Sequence, residues 1–149
     1  MLKAEEFMRQ ALQEAEADPG EVPVGAVVVY ENRVIARAHN QRESGLPFAH
    51  AEMLAMERAC RILGTRRLKG CTLYVTLEPC PMCAGALVMA EIDRCVFGAY
   101  DPRQGCCGSV YALPEDPAFF HRTDCAGGVL EKECGEILKR FFATKRAPL

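Results

Sequence analysis

The sequence predicts an α/β fold in which a mixed β-sheet carries helices on its faces. Three observations lead there. Apolar residues recur at a helical period in some stretches and gather in β-branched runs in others. These stretches follow the order helix, hairpin, helix, strand, helix, strand, helix along the chain. A strand–helix–strand crossover makes neighbouring strands parallel and right-handedly connected, whereas a hairpin adds an antiparallel pair, so the sheet has to be mixed. The chain has 149 residues, 50% of them hydrophobic and 26% charged. That suits one domain around one core and excludes a disordered or fibrous chain.

The elements can be justified in turn. Over residues 2–17, Leu2, Phe7, Met8, Ala11, Leu12 and Ala15 fall near a helical period, and Asp18-Pro19-Gly20 ends the helix. Residues 24–30 form a β-branched run, Glu31-Asn32 a turn, and residues 33–38 a second strand, together a hairpin. Leu46-Pro47-Phe48 is a loop before a helix at about 49–63, which Gly64 closes. Residues 71–76 read as a buried strand, 80–90 as a helix, 94–99 as a fourth strand, 123–126 as a short fifth and 129–144 as a terminal helix. Residues 100–120, rich in Gly and Pro, are expected to be irregular.

Composition narrows the function. No apolar run approaches the roughly 20 residues of a membrane span. The amino-terminal Met1-Leu2-Lys3-Ala4-Glu5-Glu6 lacks the basic and apolar regions of a signal peptide, so a cytoplasmic protein is expected. Nine cysteines, an odd number, then suggest metal ligation plus scattered buried thiols rather than a disulfide framework. Cys60, Cys71, Cys95, Cys125 and Cys134 read as small core residues. Cys106-Cys107, in a Gly-rich loop, has the stronger case for exposure and oxidation. The net charge of −2 is unlike that of a general nucleic-acid binder, so any such contact has to be local. Two basic clusters exist, Arg61, Arg66, Arg67 and Lys69, then Lys139, Arg140, Lys145 and Arg146. Each reads equally as a solvated helix end.

The chemistry lies at the starts of two helices. Cys80 and Cys83, three apart, can turn both sulfurs to one point, and a helix N-terminus favours thiolate. His50 adds an imidazole. A Cys₂His set leaves a fourth tetrahedral position for water, whose pKa zinc can lower to about 7. Glu52, two residues from His50, can stand beside such a metal without binding it and carry protons as a general acid–base. Alone, a first-turn glutamate merely complements the helix dipole, and a lone Cys-x-x-Cys could be a redox pair. A structural zinc site would need a fourth ligand from Cys71, Cys95, Cys106 or Cys107.

His50-Ala51-Glu52 followed by Pro79-Cys80-Pro81-Met82-Cys83 matches the established H-x-E…P-C-x-x-C signature of zinc nucleobase deaminases. With it, the chain resembles the cytidine deaminase-like superfamily, and within it the bacterial tRNA-specific adenosine deaminases of the wobble position. The likeness runs from about Phe7 to Arg146. It includes Glu21-Val22-Pro23-Val24-Gly25-Ala26, Asn40, Leu73-Tyr74-Val75-Thr76-Leu77-Glu78, Phe97-Gly98-Ala99, Asp101, Gly105, Gly108-Ser109, Gly127-Gly128-Val129-Leu130 and Phe141-Phe142. The resemblance implies a three-layer α/β/α sandwich with a mixed five-stranded sheet, one Zn²⁺ per subunit and a homodimer whose partner helps to build the RNA site. It implies hydrolytic conversion of adenosine to inosine in a tRNA anticodon stem-loop. It also gives Asn40 the flipped nucleoside, Asp101 and its loop the neighbouring nucleotides, and His121 the RNA backbone. The residues alone leave Asn40 as a strand-end cap, Asp101 as an Asx turn and His121 as a loop residue.

Two positions depart from the family pattern. Phe120 stands where Asn is usual, and Cys106-Cys107 where small alanines are usual. Phe120 could stack on a base or pack on Phe119. A small-molecule deaminase of guanine or cytosine type shares the same chemistry, and a silent zinc-binding RNA module would not need Glu52.

Overall fold

A computed structural model describes residues 2–146. Met1 and residues 147–149 lie outside the described residues. So do the side chains of Leu2 and Arg146, which the sequence assigns to the first apolar stripe and to the second basic cluster. Among the described residues four α-helices form: α1 (Leu2–Ala15), α2 (Ala51–Leu63), α3 (Pro81–Met89) and α4 (Glu131–Arg146). Five strands accompany them: β1 (Gly25–Tyr30), β2 (Arg33–His39), β3 (Cys71–Leu77), β4 (Arg94–Ala99) and β5 (Asp124–Ala126). The sheet order is β2-β1-β3-β4-β5. β1 is antiparallel to both β2 and β3, while β3, β4 and β5 run parallel. The expected mixed sheet is therefore observed.

Alternation along the central strands sorts side chains into two cores. Ala26 and Val28 of β1, Leu73 and Val75 of β3 and Phe97 of β4 share one cluster with Ala51, Ala55 and Ala59 of α2 and Ala84 and Leu87 of α3. Val27 and Val29, Tyr74 and Val96 face the other way, onto Phe7, Met8 and Ala11 of α1 and Cys134 and Ile137 of α4. Helices thus cover both faces, giving the three-layer α/β/α sandwich. The small side chains of α2 bring that helix close to the sheet. Gly25 does the same on the opposite face, because a Cβ there would collide with the Ala11 carbonyl and the Ala15 nitrogen of α1.

Boundaries differ from the sequence expectation where local backbone geometry intervenes. The last helix starts at Glu131 rather than at 129, since Gly128 and Leu130 both take positive φ, 92° and 52°. Residues 100–120 are irregular as expected, except for a short 3-10 turn at Leu113–Glu115 and a bridge between Cys107 and Ala112. A second 3-10 turn at Arg42–Ser44 falls in the loop after β2. The expected exposure of Cys106-Cys107 is overturned, because both are buried. Their backbone amides are drawn inward onto the Pro79 carbonyl and the Glu78 carboxylate. Cys71, Cys95 and Cys134 are buried as expected, while Cys60 and Cys125 are only partly so.

Gly25→Val should overpack the α1–β1 contact at a cost of about 3 kcal/mol. Urea unfolding should show a lower midpoint at unchanged slope. An unchanged midpoint would mean that α1 does not rest on this strand.

Candidate metal centre

With β1 antiparallel to both neighbours, β2 and β3 point the same way and end at the same edge of the sheet. β2 leads through a loop to α2, and β3 passes directly into α3. Asn40, just past β2, fixes the first junction: its Oδ1 accepts the Ala51 amide at 2.8 Å, and its own amide donates to the Val24 carbonyl. It caps an orphan donor of the helix, as a strand-end asparagine should.

His50 is the N-cap residue of α2 and Cys80 that of α3, yet neither side chain caps its own helix. They turn toward each other instead. Pro81 takes the first helical position of α3. Cys83 stands three residues beyond the N-cap, where side chains at these two positions meet. His50 Nδ1 lies 3.6 Å from Cys80 Sγ and 3.5 Å from Cys83 Sγ. Zn–S bonds of ~2.3 Å and Zn–N bonds of ~2.0–2.1 Å at tetrahedral angles give N···S edges of about 3.6 Å. The donor set therefore fits zinc in type and spacing. The three ligand atoms lie within 4.8 Å of one another, and among the described residues no fourth His, Cys, Asp or Glu joins them. Among the described residues, the closed structural site that would need Cys71, Cys95, Cys106 or Cys107 as a fourth ligand is not formed.

The charges at this point are interdependent. Hydrogen bonds from Cys83 and then His50 hold the Cys80 thiol down at about 4. The same bond with Cys80, followed by burial, pushes Cys83 far up, so that one thiolate is shared by the pair. The Cys80 bond likewise raises His50. Metal loading requires the protons of this cluster to leave.

Glu52, in the first turn of α2, is 4% exposed, and its Oε1 is buried without a hydrogen-bond partner. Burial lifts its carboxyl to about 7, against the opposing pull of nearby His50. A buried orphan oxygen beside a metal-type cluster is a polar group awaiting a partner, and this value suits proton transfer near neutrality.

His50, Glu52, Cys80 and Asn40 line one cavity of about 860 Å³. Its walls include Arg42 and Glu78, the run from Tyr100 to Gln104, and Lys139 and Phe142 of α4. Asp101 belongs to this wall, with its Oδ1 accepting the Arg103 and Gln104 amides at 3.0 and 3.2 Å, the expected Asx turn. His121 is not brought to the cavity. Its Nε2 bonds the Ile92 carbonyl at 2.8 Å, before the start of β4 and thus at the far end of the parallel strands. The first basic cluster is partly neutralised, Arg61 by Glu57 and Arg67 by Glu91, each at 3.0 Å. Lys139 of the second cluster does reach the wall. Sequence reasoning missed Arg42, Tyr100 and Arg103, although each lies within two residues of a position it singled out.

A three-layer fold that places a His–Cys–Cys donor set beside a buried glutamate outside that set is the arrangement of the zinc nucleobase deaminases. A sequence profile for the cytidine and deoxycytidylate deaminase zinc-binding region matches residues 1–99, and the chain belongs to that family. Zn²⁺, one per subunit, is its cofactor. The chain is similar to the tRNA-specific adenosine deaminase of Bacillus subtilis (strain 168), being 50% identical over 149 residues that cover 98% of this chain and 92% of the relative. It is also similar to a solved structure from work on A-to-I editing by tRNA:A34 deaminases at the wobble position of transfer RNA. That likeness has a TM-score of 0.85 and 46% identity over 89% of this chain and 99% of the other. Guanine deaminase from Bacillus subtilis is similar over 64% of each chain, with a TM-score of 0.60 and 38% identity.

Because the folded-state value of Glu52 lies above its ordinary 4.5, folding favours the protonated carboxyl. The stability this contributes is fully present below about pH 4.5 and is lost as the pH rises to about 7. Glu52→Gln cannot ionise. After chelation of the metal, its melting temperature should match the wild type at the acid end of this window and exceed it increasingly toward neutrality. A pH-independent difference would show that the carboxyl is not desolvated.

Proposed function

We infer that residues 1–149 form a single zinc-dependent deaminase domain that converts adenosine to inosine at the wobble position of a tRNA anticodon. The observation that carries this is the buried Glu52 beside a three-ligand site. Glu52, His50 and Cys80 line a cavity whose walls also offer Arg42, Arg103, Lys139, Tyr100 and Phe142. Cations answer phosphates and aromatic rings answer unstacked bases, the two recurring needs of single-stranded RNA recognition. The near-full-length similarity to tRNA-specific adenosine deaminases supports the same substrate.

We assign His50, Cys80 and Cys83 as the metal ligands. When bound there, zinc would supply a nucleophilic water at neutral pH. Glu52 takes the proton of the attacking water as oxygen bonds to adenine C6, and delivers it to ring N1. Glu52, again a carboxylate, then takes the remaining proton from the new C6 hydroxyl and passes it to the exocyclic amine, which leaves as ammonia as the C6–N bond breaks and the C6 carbonyl forms. With Asn40 Oδ1 committed to Ala51, the amide keeps its Nδ2 donors for the nucleoside. Asp101 acts by shaping its turn, which aims the following residues at flanking nucleotides. The base has to leave the anticodon stack to reach this cavity.

The reading extends to a homodimer and to the cytoplasm, where tRNA is met. No described helix is long and apolar enough to cross a membrane. α3 carries no charged residue, and Met89 at its end is 72% exposed, a face suited to a second copy. His121, distant from its own cavity, can touch RNA held there only from another subunit. The second reading, a guanine-type deaminase, is favoured by the B. subtilis guanine deaminase likeness and by the acidic net charge.

Purified protein incubated with an anticodon stem-loop bearing wobble adenosine should yield inosine, and free guanine or cytosine should not turn over. Turnover of a free base without inosine would select the second reading. Glu52→Ala should keep its zinc and slow the reaction by about 10² or more. An undiminished rate would remove Glu52 from the mechanism.

A further inference from the structure

Glu78 lies outside the zinc motif's ligand set, is 2% exposed and sits immediately before Pro79-Cys80. Four donors converge on its two carboxylate oxygens. Oε1 accepts the Asp101 amide at 2.9 Å and the Ser109 hydroxyl at 2.5 Å. Oε2 accepts the Cys107 amide at 3.1 Å and the Ser109 amide at 2.9 Å. The next residue adds a fifth tie, as the Pro79 carbonyl accepts the Cys106 amide at 2.8 Å. Gly105 is required by the same contact, because a Cβ there would collide with the Glu78 carboxyl group.

The 101–109 loop is therefore tied at both ends to two residues that lead straight into a metal-type ligand, while its rear is also held by the buried Cys106 and Cys107 side chains and by the Cys106 carbonyl accepting the Leu113 amide. Its first half, from Asp101 to Gln104, is cavity wall. The hydrogen bonds within the loop are short-range, the Asx turn of Asp101 and the Gly105 amide on the Asp101 carbonyl. They shape its cavity-facing half, Asp101 to Gln104, without fixing that half to the sheet. A glutamine could not replace the carboxylate, since its amide nitrogen would face donors instead of accepting them. An aspartate would fall one methylene short.

We propose that Glu78 is a positioning residue that locks the 101–109 loop as a wall of the cavity, and so sets how well substrate is captured rather than how fast it reacts. This rests on the reading that the cavity takes the anticodon loop of a tRNA. Glu78 touches no reacting atom. Its partners are amides and a hydroxyl of the loop, while Glu52 and the Cys80–Cys83–His50 group are held by their own helices.

The test uses the zinc-loaded protein and an anticodon stem-loop with wobble adenosine. Zinc content, kcat and KM are measured for wild type, Glu78→Gln and Ser109→Ala. Wild type producing no inosine removes the substrate reading and this proposal together, before any variant is compared. With wild type active, Glu78→Gln should keep one zinc per chain and a kcat within about threefold, while KM rises about tenfold or more, the signature of lost binding rather than lost chemistry. Ser109→Ala, which removes only the hydroxyl bond, should show a smaller rise of the same kind and decides the matter if Glu78→Gln does not fold. An unchanged KM, a fall in kcat at constant KM, or loss of zinc from Glu78→Gln would each overturn the proposal and leave the substrate reading intact.

Discussion

The direction of β2 relative to β3 is the constraint on which the site depends. With β1 running between them in the opposite sense, both strands deliver the chain to one edge of the sheet, and both are followed by a helix starting there. Two helix N-termini converge as a result, and residues 30 apart in sequence come within 3.6 Å. The partial positive charge of these ends favours the thiolate at Cys80, while burial outweighs it at Glu52. Had β2 joined the sheet in the other sense, His50 and Glu52 would start their helix at the opposite edge, and no spacing of cysteines could recover them.

This convergence concentrates poorly compensated polar groups in one place: a thiol–thiolate pair, an imidazole and a carboxyl whose Oε1 has no hydrogen-bond partner. Each is unfavourable in isolation. The surrounding fold tolerates them because two apolar clusters clamp the sheet from both sides and because the helix junctions are fixed by bonds that avoid the reactive atoms. Asn40 fixes the start of α2, and the segment before Cys80 is tied to the 101–109 loop by Glu78. Functional groups left unpaired and scaffold groups fully paired are the division expected of a preorganised site.

Much of this was legible in the sequence, and the reasons for the remainder are physical. Helical period, β-branched runs and flanking Gly and Pro residues together located the four helices and five strands described, α3 by the proline-marked entry to an apolar stretch that is too uniform to show a period. The H-x-E and P-C-x-x-C spacing exposed the site because those positions follow from local helix geometry. What escaped depends on long-range partners. Cys106 and Cys107 sit in a loop whose composition suggests exposure, and only the distant acceptors at 78 and 79 pull them inward. The short turn at Arg42–Ser44 has no periodic signature, although Glu43 is tied by its amide to the buried Glu21 carboxylate. His121 shares a loop-rich region with cavity residues in sequence but bonds at the far end of β4 in space. Arg42 and Arg103 were passed over because a single surface arginine carries no pattern until a cavity gives it a neighbour.

The proposed chemistry requires an open metal site with three protein ligands beside a carboxyl that does not bind the metal. X-ray absorption at the zinc edge of the loaded protein measures this most directly. Two sulfur neighbours at ~2.3 Å and two nitrogen or oxygen neighbours at ~2.0–2.1 Å are expected, unchanged in Glu52→Gln. Three or four sulfur neighbours, or loss of a light-atom neighbour in that variant, would contradict that chemistry.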